Sequence, residues 1–101
     1  MNEKEISKKL HNLVTSEDGL LVILRCENYF DDEKYNEIKN ILKKLIPIWK
    51  ERNSISPFGL LAIASLIEQI AGENRFLSET DSIKTEDACI EIMDIINDLY
   101  D

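Results

Sequence analysis

The chain is poor in the residues that usually signal a chemistry. Of its 101 residues one is histidine, two are cysteine, two proline and three glycine. One histidine, His11, supplies no cluster of imidazoles, and Cys26 and Cys89 have neither CxxC spacing nor a second Cys/His group beside them. No zinc site or other metal is therefore expected. The few prolines and glycines form no linker, so one domain over residues 1–101 is expected. The longest apolar run, Leu20-Leu21-Val22-Ile23-Leu24, is five residues, against the about 20 that span a bilayer. GxGxxG, GxxxxGK[ST] and HExxH are all absent, which removes the usual phosphate cradles and a zinc-protease helix.

Positive charge is scarce too. Twelve Lys and Arg face twenty Asp and Glu, for a net charge of −8 and a pI near 4.6. Each phosphate contact needs a cation, so nucleic acid is excluded as a partner. An anionic membrane surface is excluded on the same ground. Met1-Asn2-Glu3-Lys4-Glu5 has no apolar stretch behind it, so no secretory signal is expected, and the expected location is the cytoplasm with both thiols reduced.

What is present is helical pattern. Hydrophobic residues make up 44% and charged residues 32%, an ordinary composition for one globular core. Ile6, Leu10, Leu13 and Val14 recur at helical spacing over 3–14. Ser16 reads as the N-cap of a second segment, followed by Glu17 and Asp18. The apolar run at 20–24 suits a buried strand as well as a helix; the cap and the lack of a strand partner favour helix for 19–27. Asp31 and Asp32 open the longest segment, in which Tyr35, Ile38, Leu42, Leu45 and Trp49 form a stripe. Pro47 lies inside it and predicts a kink rather than a stop, because Ile48 and Trp49 stay in phase.

Ser56-Pro57 is a strong helix start, with Ile55 and Leu60 placed for a hydrophobic staple. From Phe58 to Ala71 only Ser65, Glu68 and Gln69 interrupt the apolar surface. Such a helix belongs in the middle of a bundle, with Gly72 ending it. Residues 73–84 are polar and broken, with Phe76, Leu77 and Ile83 as anchors, and Thr85 caps a last helix. The predicted fold is all-α: a compact bundle of about five helices around a central apolar helix at 57–71.

The charge is unevenly spread. Residues 1–53 carry ten acids and ten bases, whereas residues 54–101 carry ten acids and only Arg75 and Lys84. On a wheel of the last helix, Ala88, Cys89, Ile92, Met93, Ile95, Ile96, Leu99 and Tyr100 fill an arc of roughly 160°. Asp87, Glu91, Asp94, Asp98 and Asp101 lie within about 80° on the opposite side, and no Lys or Arg occurs from Thr85 onward. Like charges four residues apart cost a helix roughly 0.2–0.5 kcal/mol per pair. A solvated face would explain acids alone; an acid-only face on one helix points to docking of a basic partner.

No residue set points to an enzyme. His11 has no nucleophile at a telling spacing and reads as structural. Asp31-Asp32-Glu33 lacks the alternating calcium-loop pattern and is better explained by helix capping. Tyr35 and Trp49 lie on the apolar stripe and read as core. Glu68, alone on an apolar helix, is expected to face out.

The whole-chain pattern, with the apolar run Pro57-Phe58-Gly59-Leu60-Leu61-Ala62-Ile63-Ala64 and the acid-only segment Glu86 to Asp101, resembles the immunity proteins of contact-dependent growth inhibition and related polymorphic toxin systems. Among them it looks most like the helical immunity proteins paired with ribonuclease toxins, including those with an RNase A-like fold. That resemblance implies an inhibitor that blocks the active site of a basic nuclease toxin. Asp87, Glu91, Asp94, Asp98 and Asp101 would stand in for phosphates, with Glu73, Glu79 and Asp81 as neighbours. The competing expectation is an acidic helical adaptor or chaperone for another basic protein.

Overall fold

Each long helix begins where a short polar side chain can take up a free amide. In the computed structural model, which describes residues 2–70 and 77–100, α1 (Glu3–Thr15) is capped by Asn2, whose Oδ1 accepts from the Glu5 amide at 2.9 Å. Asp31 caps α3 (Asp32–Arg52) by accepting from Lys34 N at 3.0 Å. Ser56 Oγ accepts from Gly59 N at 3.4 Å at the head of α4 (Pro57–Ile70). Ser78 Oγ accepts from Asp81 N at 3.1 Å at the head of α5 (Glu79–Asn97). Among the described residues no strand occurs, and the all-α expectation holds.

Between α1 and α3 the apolar run is helical, but its start differs from expectation. Ser16 closes α1, with its amide on the Asn12 carbonyl at 3.1 Å and its hydroxyl on Asp18 Oδ1 at 3.1 Å. The next element, α2 (Leu20–Val22), starts behind Gly19. A Cβ on Gly19 would sit 2.9 Å from the Val14 carbonyl oxygen and 3.0 Å from that of Leu13. The corner is therefore too tight for any other residue. From α2 the chain continues as a π-helical turn, Ile23–Glu27, and leaves it through Asn28 at φ 58°.

Helix α3 runs unbroken through Pro47, which lies on its exposed side, and buries Tyr35, Ile38, Ile41, Leu42, Leu45, Ile46 and Trp49. It ends in left-handed Asn53. The Asn53 amide reaches the Lys50 carbonyl at 3.3 Å and the Ser54 amide that of Trp49 at 3.2 Å, the paired bonds of a Schellman ending. Helix α1 packs against α3 and α4, and α5 lies against α3 and α4. The radius of gyration is 13.3 Å, close to the about 13 Å of a compact chain this long.

Four long helices and one short one are present among the described residues, and α4 is not the enclosed centre of the bundle. One side of it, Gly59, Ala62, Ile63, Leu66 and Ile70, is buried. Its other side is bare, with Leu60 and Leu61 each 56% exposed. Of the expected staple pair, Ile55 packs on the core and Leu60 is exposed. Gly59 leaves room for the Trp49 side chain of α3 against the backbone of α4, since a Cβ there would run into the indole. Gly72 and Phe76 lie outside the described residues.

The last helix begins about two turns earlier than expected, capped by Ser78 rather than Thr85. Thr85 is fully buried in mid-helix, its hydroxyl donating to the Asp81 carbonyl at 2.8 Å. That bond is what allows a hydroxyl inside the core. Ser78, three residues before Asp81, is the cap. A 3-10 turn, Asp98–Tyr100, follows α5.

Candidate partner-binding face

Helix α5 turns a narrow stripe of its surface inward. Thr85, Ala88 and Ile92 are buried, with Cys89, Ile95 and Ile96 beside them. The acids of the expected face, Asp87, Glu91, Asp94 and Asp98, are all exposed, as is Glu79. Asp81 is not part of that face. Its Oδ2 accepts from the Phe30 amide at 3.3 Å, so it joins α5 to the loop before α3. Glu73 and Asp101 lie outside the described residues.

Glu91 has a second role. It accepts from the Tyr35 hydroxyl at 2.5 Å and pairs with Lys39 at 3.4 Å, while its side chain is still 46% exposed. The Tyr35 bond, aided by the Lys39 and Lys43 charges, holds its carboxyl below the usual range. Burial and the same carboxylate push the Tyr35 phenol well above its ordinary value. Lys84, in the second turn of the helix, pairs with Asp32 at 2.9 Å. Among the described residues no cation comes within ion-pair distance of Asp87, Asp94 or Asp98.

The charge pattern alone concealed an apolar component of this surface. Ile83, Ile90 and Met93 are 52%, 63% and 40% exposed. Ile83 was expected as an anchor and Met93 within the buried arc; both are exposed, because the buried stripe through Thr85, Ala88 and Ile92 is narrower than that arc. Ile83 and Ile90 are seven residues apart and so share one side of the helix.

Elsewhere, polar groups are matched internally. His11 meets Phe58 edge-on at 5.7 Å, and Thr15 donates its hydroxyl proton to the His11 carbonyl at 2.8 Å. Trp49 and Tyr35 are core residues, and Glu68 is exposed as expected. Both cysteines are free thiols, Cys26 exposed and Cys89 half-buried. Among the described residues no three His, Cys, Asp or Glu side chains gather as a metal site, and no helix is long and apolar enough to cross a membrane. The chain matches no known protein family, no curated protein and no solved structure.

Proposed function

We propose that this is a cytoplasmic, non-enzymatic inhibitor that binds a basic nuclease toxin domain, in the manner of the immunity proteins it resembles. The supporting observation is the exposed side of α5, where Glu79, Glu86, Asp87, Asp94 and Asp98 reach solvent and no Lys or Arg occurs from Thr85 to the last residue. Such a face lowers the stability of its own helix through like-charge neighbours. It also concentrates a negative field that speeds encounter with a cationic partner and orients it. A ribonuclease domain must carry cations to hold phosphates, so it meets that requirement.

Asp87, Asp94 and Asp98 are the contacts assigned to the toxin, with Glu79 as a neighbour. Glu91 contributes through its exposed edge while keeping its bond to Tyr35. The test is co-expression with the toxin domain encoded immediately upstream of this chain's gene. Wild type restores growth, and Asp87→Lys/Asp94→Lys does not, although it is folded by circular dichroism. Rescue by that double variant as full as by wild type, or no rescue by wild type, overturns the reading.

A further inference from the structure

Acids are only half of the outer face of α5. Ile83 and Ile90 occupy equivalent positions one heptad apart, and Met93 follows three residues later on the adjoining flank. Written as a heptad with Ile83 at a, the outward line is Ile83, Glu86, Ile90, Met93 and Asn97, and Asp87 and Asp94 both fall at e. All seven of these side chains are exposed. An apolar seam interrupted by polar residues and edged by one sign of charge is what one strand of a coiled coil presents before its partner is added.

Charge decides the occupant. A second copy of α5 would set Glu86, Asp87 and Asp94 against the same acids, and like-charge juxtaposition opposes that pairing. A phosphate-binding cleft lined by hydrated cations would match the acids but leave Ile83, Ile90 and Met93 against polar walls. A helix with an apolar seam and Lys or Arg on its flanks satisfies both sets at once.

We infer that α5 docks an amphipathic, basic-flanked helix of its partner along the Ile83–Ile90–Met93 seam. The inference rests on the acidic-face reading above and adds which structural element of the partner is held: a helix beside the cationic cleft, not the cleft itself.

Two synthetic peptides of identical composition test it, each about three heptads long. One has Leu at a and d and Lys at e and g; the other has the same residues shuffled so that no seam forms. Binding to the isotope-labelled full chain is followed by amide chemical shifts at low and high salt. The seam peptide binds at least about tenfold more tightly than the shuffled one, a difference of about 1.4 kcal/mol, with shifts centred on residues 83–97. Ile83→Ser/Ile90→Ser, folded by circular dichroism, loses that difference but still binds both peptides weakly at low salt. Asp87→Lys/Asp94→Lys loses both.

Equal binding of the two peptides to wild type overturns the helix inference and leaves the acidic face standing. Absence of binding by either peptide overturns both. Shifts centred on the bare Leu60 and Leu61 of α4 place the seam elsewhere and also overturn the inference.

Discussion

The Trp49 indole donates to the Glu3 carboxylate at 2.6 Å, joining the first turn of α1 to the last turn of α3. Ser7, itself fully buried, donates to the same oxygen at 2.8 Å, and Arg52 reaches the other at 3.1 Å. Burial alone would raise the Glu3 pKa, but the Trp49, Ser7, Ser56 and Arg52 donors together hold it at about 2. A depressed carboxylate adds stability that is complete above its unfolded value, about 4.5, and is lost as pH falls toward 2. The sole tryptophan reports it directly. Its fluorescence should change between about pH 4.5 and 2, and Glu3→Gln should cost about 1–3 kcal/mol in urea at neutral pH while flattening the stability profile across that acid range.

Tyr35 and Glu91 give the opposite end of the pH scale. The phenol is raised by burial and by the carboxylate that accepts its proton. Protonated Tyr35 therefore favours the folded state, and its contribution fades as pH rises beyond the ordinary value of 10.0. Tyr35→Phe should remove that alkaline loss, at a cost near neutrality of about 1 kcal/mol. Thermal melts of the two proteins across the alkaline range check it.

Gly59 is a helix residue that alanine should improve by about 1 kcal/mol on propensity alone. Here the new Cβ would meet the indole of Trp49, whose ring is fully buried and held by Glu3. Overpacking wins, and Gly59→Ala should lose about 1–3 kcal/mol net, measured by chemical denaturation. A stabilised variant would mean that the α3–α4 contact is looser than described.

Asp94 contributes to no hydrogen bond or ion pair among the described residues and lies four residues before Asp98. Asp94→Lys relieves one like-charge pair and places a cation near a helix C-terminus. A gain of about 0.3–1 kcal/mol follows, and it should shrink as salt is added. Glu91→Lys should instead destabilise, because it breaks the Tyr35 and Lys39 contacts.

The parts of this fold legible in the sequence are those decided within one turn of helix. Asp31 and Ser56 cap where they were expected to because their amide partners are three residues away. Ser78 and Thr85 both precede acids in capping order, and local chemistry does not choose between them. The choice is tertiary: Thr85 is needed inside the bundle, and Asp81 is needed by the Phe30 amide. Helix α4 shows the same limit, because its composition suits enclosure but the chain supplies neighbours for only one side. Nothing in the spacing of Glu3 and Trp49 announces their bond. The acids of α5 were legible on the wheel, and so was Ile90, which falls outside the buried arc, whereas Ile83 was placed in the segment before the helix.

Helix α5 is also the lightly anchored member of the bundle. Of its 19 residues it buries Thr85, Ala88 and Ile92, while the 21 of α3 bury seven. Its amides should therefore exchange with deuterium ahead of those of α3, as a unit that opens while the rest of the fold stays closed. A ligand held only by the closed form would slow that exchange by the factor its free concentration exceeds its dissociation constant. If α5 carries the docking surface as proposed, deuterium uptake along residues 79–97 becomes an affinity measurement in its own right.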